Sequence, residues 1–373
     1  MKIIYIPFIF LLLLACGQKK ESEVKENDTA QTAEKHKQWL TFEGADKNAK
    51  HIVLISGDEE YRSEEALPQL AKILSKRHGF NCTVLFAQDP ASPGIVNPDY
   101  LKNIPGLEAL TSADMMIIFT RFRALPDNQM QYIDDYLKAG KPVMGIRTAT
   151  HAFNFGKDSV SNYVRYGNYY EGDKTEWEGG FGRLVLGEKW IAHHGQHKQQ
   201  STRGIIAEGA ELTGIVNGLA DGDVWGSSDV YEVRLPLPGD ARHIVMGEVM
   251  NRKGEYDEND IFYGMKPSDN DPATTDKEGV NVNDPMMPIA WIKSYQIPRG
   301  EKGKAFASTV GAANDLLIEG TRRLLVNGVF WAMDKTVPEK ADVRLVGDYQ
   351  PTKFEFRDNA YWIQKQVRVE NFE

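Results

Sequence analysis

The sequence predicts an α/β protein built on a mostly parallel β-sheet with helices on both faces. Two observations lead to this prediction. Short apolar runs of strand length alternate with amphipathic helical patterns through the first half of the chain. These runs are apolar at consecutive positions, as in strands that are buried on both faces. The chain of 373 residues is also long enough for a large core.

The first half of the chain supplies four predicted strands and two predicted helices. Continuous apolar segments predict strands at 51–56, 82–87, 114–120 and 142–146. A helix is predicted from about residue 64, with Leu67, Leu70 and Leu74 on one face and Gly79 as its stop. A second helix is predicted between 126 and 140. This order of elements is typical of a sheet covered on both faces.

The second half of the chain is less regular. Half-alternating patterns predict strands at 183–186, 229–235, 243–249, 288–293 and 304–310. The acidic, Asn- and Gly-rich segment 250–287 is predicted to be a long loop or insertion. Residues 314–333 predict an amphipathic helix whose inward side carries Leu317, Leu324, Leu325 and Phe330. The polar tail 348–373 is expected to wrap the surface.

The first sixteen residues indicate a lipoprotein export signal. A basic start is followed by an apolar run too short to span a bilayer and then by Leu-Leu-Ala-Cys. Cys16 would be the acylated first residue, and 17–48 a disordered polar tether. Gly17 favours the outer membrane, so we expect a lipid-anchored protein on its periplasmic face or at the cell surface. A plain signal peptide or a buried first helix is the alternative.

Composition argues against several classes of function. The formal net charge is −9, and no basic patch indicates nucleic-acid binding. Cys82 is the only cysteine besides Cys16, so no disulfide is expected within the mature fold. Because Cys82 lies in an apolar strand pattern, we interpret it as a small buried hydrophobe rather than a nucleophile.

The segment KPVMGIRTATHAF, residues 141–153, has the pattern of a buried strand that delivers a reactive residue through a tight turn. The residue after Gly145-Ile146 is Arg147. A guanidinium that emerges from a buried strand needs an anion, a carboxylate partner or a ligand for its five donors. We interpret Arg147 as a catalytic electrostatic group for a ligand oxygen.

Polar side chains follow three of the predicted strands at their carboxyl ends, where open α/β sheets bind ligands. We assign Glu59 and His151 to catalysis and the rest to substrate binding: Asp58, Tyr61, Arg62, Arg121, Arg123 and Thr148. Such a mixture of donors and acceptors suits a polyhydroxylated ligand. The alternatives are helix N-terminal charges for the acids and solvated ion pairs for the arginines.

A second cluster lies in the motif HHGQH at 193–197. His193 and His197 share one side whether the segment is helical or extended, so they could act on one substrate or, with His151, bind one divalent metal ion. A polar loop whose histidines bond to backbone carbonyls is the alternative. Further along, Asp229 is a candidate general base, and Trp225 is either a sugar-stacking platform or a core residue.

Together these segments resemble the ThuA-like (trehalose-utilisation) family, a branch of the class I glutamine-amidotransferase-like fold. The resemblance covers about His51 to Asp334 and rests on HIVLISGDEEYRSEEALPQLAKIL, KPVMGIRTATHAF, IAHHGQHKQQSTRGI, DVWGSSDVYEVRLPLPG and KAFASTVGAANDLLIEGTRRLLVNGVFWAMD. It implies a flavodoxin-like sheet and a ThuA-like domain over 49–347. Amidotransferases carry a cysteine at the position of Arg147, so no glutaminase activity is expected here.

The resemblance implies a role in carbohydrate catabolism through 3-keto-glycosides. A base such as a histidine or Glu59, with Arg147 or a divalent ion as electrophile, would suffice for enolisation and elimination beside a carbonyl. The leading hypothesis is therefore an exported enzyme that cleaves or isomerises a glycoside or its 3-keto derivative. The alternative is a non-catalytic carbohydrate-binding protein that serves a partner glycosidase or sugar oxidoreductase.

Overall fold

The computed structural model describes residues 1–4, 36–157, 159–275 and 279–373. Residues 36–373 form one compact unit. The predicted lipidation site Cys16 and most of the predicted tether lie outside the described residues. The tether prediction was wrong at its carboxyl end, because Trp39–Phe42 form a strand of the sheet. Among the described helices, none combines the length and the apolar character needed to cross a membrane.

In the described chain, ten strands form one sheet. They are β1 (Trp39–Phe42), β2 (His51–Gly57), β3 (Asn81–Phe86), β4 (Met115–Thr120), β5 (Val143–Ile146), β6 (Gln200–Ile206), β7 (Trp225–Gly226), β8 (Arg242–Asn251), β9 (Met287–Tyr295) and β10 (Gly303–Ser308). Their spatial order is β1-β3-β2-β4-β5-β10-β9-β8-β6-β7.

The α/β class is confirmed, but the sheet is mixed rather than mostly parallel. Strands β3, β2, β4, β5 and β10 pair in parallel, whereas β1 and the run β9-β8-β6-β7 are added by antiparallel pairing. Helices α1 (Ser63–His78) and α2 (Asp127–Lys138) supply crossovers in the parallel half, as parallel pairing requires. The segment 296–302 between β9 and β10 is too short for the crossover that parallel pairing needs, so these two strands pair antiparallel.

Apolar side chains cover both faces of the central strands. Along β2, Ile52 and Leu54 pack into one core cluster with α1 and α3 (Glu319–Ala332). Val53 and Ile55 point to the opposite face and pack into a second cluster with α2. Because side chains alternate along a strand, a strand buried on both faces needs consecutive apolar residues. The runs of consecutive apolar residues that predicted these strands therefore reflect burial on both faces of the sheet.

The later strand predictions were partly wrong. Strands at 243–249 and 288–293 are confirmed within β8 and β9, and the strand predicted at 304–310 is confirmed as β10 except for its last two residues. Residues 183–186 instead lie in a π-helical turn, Gly182–Leu186, and 229–235 holds only an isolated bridge between Tyr231 and His193. Of the predicted inward side of 314–333, Leu324 and Leu325 are buried, while Leu317 and Phe330 are only partly covered.

Candidate functional site

A pocket of about 260 Å³ opens beyond the carboxyl ends of β2, β4 and β5. Its walls are Glu60, Arg121, Phe122, His151, Trp190, His193, His197, Tyr231 and Phe356. A larger groove of about 560 Å³ beside β6 and β8 has a mostly aliphatic lining. We therefore assign the candidate site to the smaller pocket, where titratable side chains meet at the sheet end that α/β folds use for ligands.

Asp229 lies buried behind the pocket and holds two of its imidazoles. One carboxylate oxygen accepts a hydrogen bond from His193 Nδ1 at 2.7 Å, and the other accepts one from His197 Nδ1 at 2.9 Å. Arg147 Nη2 lies 3.2 Å from the second oxygen. Burial alone would raise the pKa of Asp229, but the two imidazoles and the Arg147 charge hold that pKa well below its usual range.

His197 is bonded on both ring nitrogens. Its Nδ1 faces Asp229, and its Nε2 lies 3.2 Å from a carboxylate oxygen of Glu60. Burial alone would lower the pKa of His197, but the two carboxylates raise it to about 9. In the absence of another cation, His197 is therefore protonated at neutral pH.

The HHGQH segment is neither helical nor extended, yet His193 and His197 meet with their ring centroids 5.0 Å apart. A turn brings them together because both reach the same carboxylate. His194 points elsewhere, and its Nε2 bonds to the carbonyl of Val282 at 2.8 Å. Of the three histidines in the motif, only His194 therefore fits the alternative in which these side chains bond to backbone carbonyls.

His151 reaches the pocket from the turn that follows β5. Its Nδ1 lies 3.1 Å from the hydroxyl of Thr150, and that hydroxyl donates to the Arg147 carbonyl. The His151 ring packs beside Phe122 and Trp190. Burial lowers the pKa of His151 well below 6.5, so its imidazole is neutral at physiological pH. The described group with metal-ligand spacing contains His193, His197 and Asp229, and His151 is not part of it.

Arg147 is placed behind the pocket rather than in it, which corrects the ligand-facing expectation. Its side chain is fully buried. Nη1 donates to the carbonyls of Asp229 and Thr309 at 2.8 and 2.6 Å, and Nη2 donates to the Tyr61 hydroxyl at 3.0 Å. The guanidinium lies 3.8 Å from the centroid of the Tyr231 ring. These contacts hold both Nη atoms inside the protein, while the buried Nε has no partner among the described residues, so the placement of Arg147 fits a positioning role.

Several other predicted ligand contacts also lie behind the pocket wall. Asp58 is buried and accepts hydrogen bonds from the backbone of Glu60 and from the Thr148 hydroxyl. Its burial raises the pKa of the Asp58 carboxyl. Tyr61 bonds to Arg147 instead of facing a ligand. These three predicted residues, Asp58, Tyr61 and Thr148, therefore build the strand-end turns.

The predicted arginines divide between the pocket and the interior. Glu59 forms an ion pair with Arg121 and another, at 2.7 Å, with Arg123. Arg123 is fully buried, whereas the Arg121 side chain is partly exposed and lines the pocket. Arg62 is buried and donates to the carbonyls of Glu59 and Glu355. Of the three predicted arginine ligands, only Arg121 reaches the site.

Trp225 belongs to the core, so its sugar-stacking interpretation was wrong. It is 1% exposed and packs edge-on against Phe262. Trp190, which the sequence analysis did not select, lies half-buried in the pocket wall. Its position beside the HHGQH motif could have revealed it. No motif near Phe356 could have indicated that it lines the pocket, because Phe356 lies in the tail, far along the sequence from the other lining residues.

Neither a protein-family model nor a curated protein sequence matches this chain. Among solved structures, it is similar to a protein of Parabacteroides merdae provisionally described as ThuA-like, with a TM-score of 0.47 and 12% identity over 83% of this chain and 98% of the other. A Bacteroides uniformis protein with the same description gives a TM-score of 0.42 and 14% identity over 76% and 91%.

A third similar structure is the exo-β-1,4-mannosidase Op5Man5 from Opitutaceae bacterium strain TAV5. It has a TM-score of 0.27 and 8% identity over 80% of this chain and 37% of the other. With such low identities, the activity of this chain has to be argued from its own residues.

Proposed function

We propose that the protein is a carbohydrate-active enzyme that transfers a proton at the carbon next to a ketone of a glycoside, and thereby cleaves or isomerises it. One observation carries the proposal: a neutral imidazole, His151, and a partly exposed guanidinium, Arg121, line the same pocket. The ThuA-like resemblance supplies the substrate class, a 3-keto-glycoside. A volume of about 260 Å³ is small for a ligand site and suits one sugar ring.

His151 is suited to accept the proton. Because the Thr150 hydroxyl donates its proton to the Arg147 carbonyl, it accepts from Nδ1–H of His151, and Nε2 then carries the free lone pair. When His151 takes the proton, the C–H electron pair forms a carbon–carbon double bond and the carbonyl electrons move onto oxygen. Arg121 stabilises that negative oxygen. When the enolate re-forms its carbonyl and expels the adjacent glycosidic oxygen, which takes up a proton, the result is cleavage. When the former carbonyl carbon is protonated instead and the neighbouring hydroxyl loses its proton, the ketone moves by one carbon and the result is isomerisation.

Aromatic side chains can bind the apolar face of the sugar. Trp190, Phe122 and Phe356 line the pocket, and aromatic rings offer a large apolar surface. The Arg121 guanidinium lies 4.6 Å from the Phe122 centroid and 4.9 Å from the Phe356 centroid. The two rings thus hold the guanidinium in place. This arrangement moves the expected stacking role from Trp225 to Trp190.

Deuterium exchange tests the proton transfer directly. We would incubate the full chain with 3-keto-disaccharides in heavy water and follow recovered substrate and products by mass spectrometry. Enolisation adds one mass unit at the carbon next to the ketone, above the rate without enzyme. His151→Asn should reduce exchange by a factor of about 10² or more.

His194→Asn is the matched control, because His194 bonds to Val282 outside the pocket lining. It should exchange like the wild type. Saturable quenching of Trp190 fluorescence by the sugar without any exchange or cleavage would contradict the proposal and favour a carbohydrate-binding protein.

A further inference from the structure

Cleavage of the glycoside requires a proton for the leaving oxygen, a requirement that rests on the proposed function. We propose that His193 is the general acid: its Nε2–H gives this proton to the glycosidic oxygen, while His151 takes the proton from carbon. Asp229 is a positioning residue that holds the His193 ring through Nδ1. Both imidazoles line the same pocket, so one bound sugar can contact both of them.

The bond between His193 and Asp229 determines which ring nitrogen is free. Nδ1 of His193 lies 2.7 Å from one carboxylate oxygen of Asp229, and Arg147 lies 3.2 Å from the other oxygen. The pKa of Asp229 is held well below its usual range, so this carboxylate only accepts hydrogen bonds. Nδ1 of His193 therefore carries a hydrogen, and Nε2 is left to exchange a proton with a ligand.

The hydrogen bonds of the cluster distinguish His193 from His197. The His193 side chain is 41% exposed, and no described residue bonds to its Nε2. His197 is bonded to Asp229 through Nδ1, and its Nε2 lies 3.2 Å from a carboxylate oxygen of Glu60. Since both N–H groups of His197 are occupied by carboxylates, His193 is the one of the two that can present an N–H to a leaving oxygen.

Two aromatic rings flank both His193 and His151. The Trp190 centroid lies 5.4 Å from the centroid of His151 and 5.8 Å from that of His193. The Tyr231 centroid lies 6.1 Å and 6.0 Å from the same two imidazoles. In the elimination, the acidic hydrogen and the leaving oxygen are bonded to adjacent carbons of one sugar ring. An acid and a base that share these aromatic neighbours in one small pocket suit that arrangement.

The two imidazoles enter the step in different protonation states. Burial lowers the pKa of His151 well below 6.5, so this imidazole is neutral and can accept a proton. His193 is open to solvent and can take up a proton from water in each cycle. During cleavage the carbon-bound proton moves to His151, the C–O electron pair moves to the leaving oxygen, and the His193 proton completes the alcohol. Solvent then restores both imidazoles.

The leaving group provides the test. We would compare a 3-keto-disaccharide, whose leaving alcohol needs a proton, with a 4-nitrophenyl 3-keto-glycoside, whose leaving phenolate does not. On the disaccharide, His193→Gln should lower the ratio of cleavage to deuterium exchange by about 100-fold or more. On the 4-nitrophenyl substrate the ratio should fall much less. His194→Gln is the matched control and should behave like the wild type on both substrates, because His194 lies outside the pocket lining.

Asp229→Asn tests the positioning role. It should lower the same ratio in the same leaving-group-dependent way, because a neutral amide no longer fixes Nδ1–H of His193. Thermal unfolding reports whether each variant is folded. Since Asp229 is buried beside Arg147, His193→Gln carries the test if Asp229→Asn does not fold.

An unchanged ratio in folded His193→Gln, or an equal loss of cleavage with both leaving groups, would overturn the assignment of His193 as the acid. Deuterium exchange by the wild type would in that case still support the proposed function. Absence of exchange by the wild type would reject the proposed function and the acid together, so the two failures are distinguishable.

Discussion

The partners of the buried Arg147 guanidinium could not be identified from the sequence alone. The sequence indicated that this guanidinium needs an anion, a carboxylate or a ligand. In the folded chain the carboxylate is Asp229, and two backbone carbonyls and a tyrosine hydroxyl take most of the remaining donors. The residue still acts on the site, because it fixes the carboxylate to which His193 and His197 bond.

We expect Arg147→Met to lower the free energy of unfolding by about 3–5 kcal/mol, because it leaves a buried carboxylate with one cation fewer. Urea denaturation near pH 7 measures the change. Arg242→Gln is the control, since Arg242 is exposed on β8, and its stability should stay close to that of the wild type. A fully stable Arg147→Met protein that has lost substrate binding would instead restore the ligand-facing interpretation.

Because Glu64 is buried, we expect the stability of the protein to fall as pH rises above the ordinary pKa of a glutamate. Both of its carboxylate oxygens are buried without a hydrogen-bond partner among the described residues, and Arg62 lies 3.6 Å away. Burial raises the pKa of Glu64 from 4.5 to about 8. The unfolded chain releases this proton near pH 4.5 while the folded chain keeps it to about pH 8, so the contribution of Glu64 to stability falls as pH rises between these values.

Glu64→Gln removes that cost. We expect it to unfold at higher urea concentration than the wild type at pH 8, by the equivalent of about 1–3 kcal/mol, with no difference at pH 4.5. Glu108→Gln, at an exposed position, should show the same pH dependence as the wild type. A constant Glu64→Gln difference across this pH range would contradict the assignment.

At the scale of elements, the turn after β5 depends on the π-helical turn Gly182–Leu186. A Cβ atom at Gly182 would lie 1.9 Å from the Thr150 carbonyl oxygen, and a Cβ at Gly145 would lie 2.4 Å from Leu186. The two elements thus approach each other through glycines. This packing explains why Val185 and Leu186 are buried without forming a strand.

We expect Gly182→Ala to lower the free energy of unfolding by about 1–3 kcal/mol, because the clash is with backbone that cannot rotate away. It should also slow deuterium exchange, since Thr150 and His151 would be displaced. Gly156→Ala is the control, because a Cβ there meets no atom within 4 Å. Unchanged stability and exchange in Gly182→Ala would show that the turn after β5 can shift to make room for the methyl group at little cost.

At the scale of the whole molecule, the tail closes the site from far along the sequence. Phe354 is buried against Tyr61, His197 and Tyr263. The next residue, Glu355, donates its backbone N–H to the Glu60 carbonyl at 2.9 Å. Phe356 then lines the pocket. The tail is therefore part of the pocket wall as well as of the molecular surface.

Phe354→Ala and Phe356→Ala should separate these two roles. The first should lower the free energy of unfolding by about 3–5 kcal/mol, because it empties a buried aromatic site. The second should leave stability nearly unchanged, since Phe356 is 58% exposed, but should weaken sugar binding. Urea denaturation and Trp190 fluorescence titration measure the two effects, and equal stability of the two variants would contradict the assignment.

Export and lipid anchoring remain a proposal drawn from the sequence. We propose acylation at Cys16, and we expect palmitate labelling of the wild type in cells and none of Cys16→Ala. The physical reason is that the thiol is the acceptor of the lipid and an alanine methyl cannot replace it. Equal labelling of both chains would reject the anchor, and a Cys82→Ala control should label like the wild type because Cys82 is buried.

The sequence by itself determined the doubly covered centre of the sheet. Consecutive apolar residues are required where both faces of a strand are buried, so β2 to β5 and their helices were predictable from local pattern. The pattern also predicted a site at the carboxyl ends of these strands, and four of the residues it selected line the candidate pocket: Arg121, His151, His193 and His197. The edge strands β1 and β7 and the neighbouring strand β6 were missed, because they are short or carry polar residues and lack this signal.

Only the tertiary structure decided which polar residues face the pocket. Asp58, Arg123 and Arg147 have the same side-chain chemistry as pocket groups, but each is bonded by segments distant in sequence. The partnership of Asp229 with His193 and His197 spans more than thirty residues, and that of Phe356 with Arg121 spans more than two hundred. Local sequence encodes the periodicity of burial, whereas such long-range partners are fixed only when the sheet, the loops and the tail pack together.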